Sequence, residues 1–78
     1  MTDQVVGLVA RVVSAVGGGA RPGEVVVAVR GGRETYIAFG DQPIGAGETV
    51  LIVGVRAGRQ VEVVPWPAAP DGVDPLSG

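Results

Sequence analysis

Residues 24–39 read Glu-Val-Val-Val-Ala-Val-Arg-Gly-Gly-Arg-Glu-Thr-Tyr-Ile-Ala-Phe, and this stretch decides the fold. Three valines in the first half alternate onto one face, which is the period of a β-strand with one buried side. Gly31-Gly32 is a two-residue hairpin signal, because glycine adopts the positive φ angles that such turns require. Residues 33–39 then return as a second strand. The stretch therefore predicts an antiparallel β-hairpin.

The rest of the chain repeats this pattern of valine-rich runs separated by glycine turns. Because β-branched residues fit a pleated sheet better than a helix, each run predicts a strand. The predicted strands are 5–16, 24–30, 33–39, 49–56 and 59–65. The first is long and contains Gly7, which predicts a strand that bends and joins both halves of a barrel. The pattern predicts an all-β fold, a small five-stranded β-barrel of the oligonucleotide/oligosaccharide-binding (OB) type, with an SH3-like barrel as the alternative.

The chain has 78 residues, which is close to the lower limit for a single hydrophobic core. We expect one domain over residues 1–66. The segment 67–78 contains three prolines, which cannot join the interior of a sheet, so we expect it to be a disordered tail.

The residue types in the chain restrict its chemistry. It contains no cysteine and no histidine, and all six basic residues are arginine. Disulfides, thiolate metal sites and the commonest general base are therefore excluded, as are carrier domains that need an attachment lysine. The two serines, Ser14 and Ser77, have no histidine or lysine to activate them. We expect no catalytic, cofactor-binding or metal-binding residues, and therefore no enzyme.

The charge and hydropathy of the chain bear on its location. The net charge of −2 produces an overall field that repels polyanions. No stretch reaches the roughly 20 apolar residues that span a bilayer, because Arg11 interrupts the longest run. The first residues also lack the positive charge of a signal peptide. We expect a cytoplasmic chain without a membrane span, peripheral to a membrane only through a partner.

Short apolar and glycine motifs along residues 6–65 resemble a known family. The residues that carry the resemblance are, in chain order, Val6-Gly7, Pro22-Gly23, Tyr36, Ala38, residues 40–55 with Pro43-Ile44, Gly58, and residues 61–65. A Pro-Ile and glycine motif before a valine-rich strand, then a glycine turn and a terminal Val-x-Val-x-Pro-like strand, is similar to the C-terminal domain of NfeD-like proteins.

This resemblance implies a five-stranded OB barrel, which in the family is usually tethered to membrane helices. It also implies a partner, a membrane scaffold protein of the stomatin/prohibitin/flotillin (SPFH) class encoded beside it. No membrane segment is recognised in the sequence, which departs from the family pattern. The chain is therefore expected to be a stand-alone relative, the alternatives being that the membrane part was lost or lies on another chain. The predicted function is a non-catalytic protein-interaction module that binds a second copy of itself, an SPFH protein, or both.

A predicted patch of outward-facing apolar residues supports an interaction role. If Tyr36 and Ala38 point inward, the residues next to them point outward, and the same alternation applies to the last two strands. The patch comprises Ile37, Phe39, Leu51, Val64 and Trp66. Apolar patches on adjacent strands usually mark interfaces. The alternatives are that the tail covers these residues, or that the register is shifted by one, which would exchange the two faces.

The alternative function is nucleic-acid binding, which is common among OB barrels. The loops at one end of such a barrel would gather Arg21, Arg56 and Arg59 into a basic cluster. The acidic balance of the chain and the absence of lysine weigh against this function, so nucleic acid is not the expected partner.

Overall fold

The computed structural model describes residues 5–66, which form five β-strands. Their bounds are β1 Val9–Ser14, β2 Gly23–Val29, β3 Gly32–Phe39, β4 Thr49–Arg56 and β5 Gln60–Pro65. The all-β prediction is confirmed, and four of the five strands lie within one residue of their predicted bounds.

The strands close into a barrel in the order β1-β2-β3-β5-β4. Neighbouring strands are antiparallel except β3 and β5, which are parallel. β1 pairs with β4 through its first half and with β2 through its second half, and Arg11 pairs with both. A first strand shared between the two halves of a closed five-stranded barrel is the OB arrangement, so the predicted fold class is confirmed.

Aliphatic side chains from every strand fill the barrel interior. The buried hydrophobic residues are Val5, Ala10, Val12, Val16, Val25, Val27, Ala38, Ile44, Val50, Ile52, Val61 and Val63. Full burial of a valine or isoleucine side chain contributes about 1.5–3 kcal/mol, so this cluster is the main source of stability. It includes the positions on β4 and β5 that the sequence predicts to face inward, which confirms the predicted register of these two strands.

The first strand is shorter than predicted, because the chain turns before it. Gly7 has φ 90°, a left-handed conformation that suits glycine, and its N–H donates to the carbonyl of Ile52 at 2.8 Å. This turn places Val5 in the core and Val6 on the surface, whereas a continuous strand would place Val6 on the buried face with Ala10 and Val12. The prediction of a strand over 5–16 is therefore wrong in its first residues, and it is also too long at its end, because β1 stops at Ser14.

The turn between β2 and β3 lies one residue earlier than Gly31-Gly32. Val29 pairs with Gly32, so the turn residues are Arg30 and Gly31, with φ 49° and 79°. Two successive positive φ angles define the type I′ hairpin turn. The strand pairing decides the position, because a shift by one residue would move the inward valines of β2 to the surface.

Two strands of the barrel contain a β-bulge. The pairing of β1 with β2 skips Val13, and the pairing of β4 with β5 skips Val53. An extra residue of this kind bends its strand and increases the local twist. Both bulges therefore help the sheet to curve into a closed barrel.

Gly23 begins β2 at the point where this strand passes the end of β1. A Cβ atom on Gly23 would overlap the carbonyl oxygens of Ser14 and Ala15. The absence of a side chain at this position allows the two backbones to touch.

Two further predictions bear on the ends of the chain and on the membrane. Within residues 5–66, the structure contains no helix long and apolar enough to cross a membrane. The predicted tail, 67–78, lies outside the described residues, and so does the predicted domain boundary after residue 66.

Candidate functional site

Exposed apolar side chains gather on the outer face of β4 and β5. Leu51 lies between Val64 of β5 on one side and Val9 of β1 on the other. Leu51 is half-buried, whereas Val64 is 39% exposed. Aliphatic side chains that lie side by side on neighbouring strands pack into a continuous strip.

Val53 extends this strip because it is the extra residue of the β4 bulge. The residues on either side of it pair with β5, and its own side chain is left 47% exposed. It lines a shallow groove of about 170 Å³, together with Phe39, Val64 and Gly19 of the β1–β2 loop. The β4–β5 apolar face is defined here as Leu51, Val53 and Val64.

Phe39 adjoins this face, and a guanidinium covers its ring. The Cζ atom of Arg56 lies 4.1 Å from the centre of the Phe39 ring, which is a cation–π contact. Arg56 Nε also donates to Glu62 Oε2 at 3.0 Å. Gly54 leaves space for this carboxylate, because a Cβ atom there would lie 3.1 Å from Glu62 Oε1. A charged pair therefore bounds the β4–β5 apolar face on the side of β3.

The other two residues of the predicted patch lie at its margins. Trp66 follows β5, and its backbone N–H donates to the carbonyl of Thr49 at 3.0 Å, beyond the pair of Leu51 and Val64. Ile37 is exposed on β3, between Glu24 of β2 and Gln60 of β5. Polar side chains therefore separate Ile37 from the β4–β5 apolar face.

The structure brings together part of the predicted patch and adds a residue to it. Leu51 and Val64 are direct neighbours, and Phe39 lies close to Val64 in the same groove. Sequence reasoning missed Val53. Gly54, which follows it, was the available signal, because a glycine inside a strand often marks a bulge.

A second arginine–aromatic–carboxylate group lies on β3 and the β4–β5 turn. The Tyr36 hydroxyl donates to Glu34 Oε1 at 2.7 Å. Arg59 lies 4.8 Å from the Tyr36 ring centre and 3.7 Å from the Glu34 carboxylate. The hydrogen bond to Glu34 raises the pKa of Tyr36, burial and the charge of Glu34 add to this effect, and Arg59 opposes it. Tyr36 is therefore a neutral donor at physiological pH.

The predicted basic cluster of Arg21, Arg56 and Arg59 is divided between different surroundings. Arg56 is paired with Glu62, and Arg59 is paired with Glu34. Arg21 is exposed in the loop between β1 and β2. Two of the three guanidiniums therefore already face a carboxylate, which reduces the positive charge that they offer to a phosphate backbone.

The surface around the β4–β5 apolar face is described by its apolar and charged residues. Within residues 5–66, no group of three or more His, Cys, Asp or Glu side chains is placed to hold a metal ion. What the outer surface presents is an apolar strip with charged residues at its margin. That distribution, apolar at the centre and polar at the rim, is typical of protein interfaces.

The fold and this surface together define a class, a small OB-type β-barrel domain with an exposed apolar strip. The family model for the NfeD C-terminal domain matches residues 9–64, which is more than half of the chain. The chain belongs to the NfeD C-terminal domain family. This confirms the resemblance drawn from the glycine and valine motifs.

Two solved structures are similar to this chain over most of its length. The soluble domain of the NfeD protein YuaF from Bacillus subtilis is 32% identical, with a TM-score of 0.69 over 81% of this chain and 75% of that one. The C-terminal domain of stomatin operon partner protein 1510-C from Pyrococcus horikoshii is 27% identical, with a TM-score of 0.67 over 83% of this chain and 92% of that one. No curated protein matches the sequence.

Proposed function

We propose that this chain is a non-catalytic protein-interaction module, and that the β4–β5 apolar face is its binding surface. Its partner is a second copy of the chain, an SPFH-type membrane scaffold protein, or both. The observation that carries the proposal is the β4 bulge, which holds Val53 47% exposed next to Leu51 and Val64.

The energetics of this face favour association. Full burial of a valine or leucine side chain contributes about 1.5–3 kcal/mol, and part of that gain is still available to Val53 and Val64. Two such anchors support a weak complex after the loss of translational and rotational freedom is offset. The pair of Arg56 and Glu62 at the margin gives the surface a charged rim that can orient a partner.

The class of partner is supported by the family. One similar structure is a domain of a protein described as a stomatin operon partner. Stomatins are members of the SPFH class, which the family resemblance also implies. We therefore extend this class of partner to the present chain, which shares the fold of that domain and is 27% identical to it in sequence.

Nucleic-acid binding receives less support from the surface. OB barrels that bind single strands use exposed aromatic rings along a basic groove. Here Arg56 covers Phe39, Arg59 covers Tyr36, and both arginines face carboxylates. We expect affinity for single-stranded oligonucleotides no better than non-specific binding, about 10⁻⁴ M or weaker at physiological salt.

The proposal is tested with one variant and a closely matched control. Val53→Asp places a charge in the β4–β5 apolar face. Val13→Asp places the same charge on the other bulge, where Val13 is 48% exposed on the half of β1 that pairs with β2. Sedimentation equilibrium measures self-association, and copurification with the SPFH protein of the same genome measures partner binding. Thermal unfolding of both variants serves as the control that each of them remains folded.

The proposal predicts that Val53→Asp weakens association about tenfold or more, because an ionised carboxylate cannot be buried against an apolar partner. Val13→Asp should associate like the wild type. The proposal is overturned if the wild type is monomeric at all concentrations and does not bind the SPFH protein. It is also overturned if the two variants behave alike.

A further inference from the structure

A groove opens in the barrel wall where β1 leaves β2. β1 pairs with β2 only from Arg11 onward, and its first residues pair with β4. Within residues 5–66, the end of β2 from Val27 to Val29 therefore pairs with β3 alone. The groove has a volume of about 370 Å³, and its apolar lining consists of Val9, Ala10, Val26, Val27 and Ala28. An unpaired strand edge next to apolar side chains is a template for a further strand.

The charged residues of this groove are both arginines. Arg11 lines it on β1 and Arg33 on β3. Among residues 5–66, neither has a carboxylate within 4.0 Å, in contrast to Arg56 and Arg59. Within the described part of the chain, two guanidiniums without a carboxylate partner therefore line a groove whose other lining residues are apolar.

We propose that this groove binds an extended acidic peptide segment of a partner protein, which adds to the free edge of β2. Apolar side chains on the inward face of the segment pack against Ala10 and Val27. Carboxylates on its outward face meet Arg11 and Arg33, which share that face of the sheet with Val9, Val26 and Ala28. This site is separate from the β4–β5 apolar face, and the inference does not rest on the proposed function.

The chemistry of the groove selects this occupant over others. A strand edge is recognised by main-chain hydrogen bonds, so the ligand is a polypeptide rather than a nucleic acid or a lipid. A second copy pairing through the same edge would place Arg11 and Arg33 against identical arginines, and like charges on paired edges are unfavourable. An acidic strand replaces that repulsion with charge-assisted hydrogen bonds.

The probe is a capped peptide, Glu-Val-Ser-Val-Glu, titrated into the isotopically labelled full chain and followed by NMR. Its valines lie on one face of an extended strand and its glutamates on the other. We expect chemical-shift changes at residues 9–11, 26–28 and 33. The matched peptide Gln-Val-Ser-Val-Gln should bind about tenfold more weakly, because two ion pairs are lost. The difference should shrink at high salt.

Variants of the chain locate the charges that matter. Arg11→Gln combined with Arg33→Gln should remove the preference for the acidic peptide, so that both peptides bind with the same affinity. Arg21→Gln removes an arginine from the loop between β1 and β2, outside the groove, and should leave the preference intact. Unchanged dispersion of the NMR spectrum shows that each variant keeps the fold.

A third peptide tests strand addition itself. N-methylation of the amides that face β2 removes the donors of the ladder while the charges stay in place, so binding should be lost. Equal binding of the methylated peptide would overturn the proposal. Shifts confined to other parts of the barrel would do the same, and so would groove shifts that follow protein concentration without any peptide.

Discussion

The two bulges of this barrel are the same irregularity in different surroundings. The β1 bulge lies next to Gly23, where the backbones of β1 and β2 touch and no side chain fits between them. The β4 bulge lies opposite Glu62, whose side chain passes over Gly54 to reach Arg56. At the β1 bulge the backbones of two strands are in contact, whereas at the β4 bulge side chains lie against the strand.

Because of this difference, a substitution beside the β1 bulge and one at the β4 bulge should have different consequences. A change at Gly23 has to move backbone, so the whole barrel is affected. A change at Val53 alters only a partly exposed side chain and its neighbours on the outer face. The β4 bulge can therefore accept a different side chain on the outer face while the barrel remains closed.

The largest expected effect comes from adding one methyl group beside each bulge. Gly23→Ala should lower the free energy of unfolding by about 2–3 kcal/mol, because its Cβ has to displace backbone atoms. Gly54→Ala should lower it by less than about 1 kcal/mol, because its Cβ meets only the movable end of Glu62. Urea unfolding of the two variants and the wild type measures both values. Equal losses would show that the two bulges are closed in the same way.

A smaller effect is expected at the charged pair that bounds the β4 bulge. Arg56→Gln removes the contact with Phe39 and the ion pair with Glu62, and should lower the free energy of unfolding by about 0.5–1 kcal/mol. Both side chains of the ion pair are nearly half exposed, so part of this loss should disappear at high salt. A double-mutant cycle with Glu62→Gln isolates the coupling between them. A loss as large as that of Gly23→Ala would contradict the distinction between the two bulges.

The smallest expected effect is at Tyr36, which belongs to neither bulge and sets the scale for one hydrogen bond on the barrel wall. Tyr36→Phe removes the bond to Glu34 and should lower the free energy of unfolding by about 0.5 kcal/mol at neutral pH. Because the pKa of Tyr36 is raised in the folded state, this contribution is complete below about pH 10, the ordinary tyrosine pKa. It is lost as the pH rises through the raised value.

Thermal unfolding at neutral and alkaline pH measures the difference in stability between the wild type and Tyr36→Phe. Wild type and Tyr36→Phe should converge in stability as the pH rises above the ordinary tyrosine range. A stability difference that stays constant with pH would contradict this expectation, because the hydroxyl would then contribute equally after losing its proton.

The alternation of valines is what made the fold predictable from the sequence. It assigns five strands, and on β5 it also assigns the buried face, because Val61 and Val63 alternate with Glu62. On β4 both faces are largely aliphatic, and alternation alone does not choose between them. It failed before β1, where both faces are apolar and Gly7 introduces a turn that the pattern does not reveal. A two-residue period gives a register only where the two faces differ in polarity.

The site was less predictable because it depends on contacts between distant residues. The outward position of Leu51 and Val64 follows from alternation, whereas the exposure of Val53 depends on a bulge defined by pairing with β5. The positions of Arg56 and Arg59 depend on which aromatic and acidic side chains the fold brings to them. No local pattern encodes those partners. The close approach at Gly23 is equally hidden, because a glycine before a strand usually marks only a turn.

The seam between β1 and β4 has a consequence for how the chain folds. The hairpins of β2 with β3 and of β4 with β5 join neighbouring segments, whereas the seam joins Val9 to Leu51 across most of the barrel sequence. The entropy of closing so long a loop has to be met before the seam contributes, so we expect both hairpins to form early and the seam last. All-β domains of such high contact order fold in roughly milliseconds to seconds. β1, which is synthesised before the other four strands, is therefore expected to pair with β4 last.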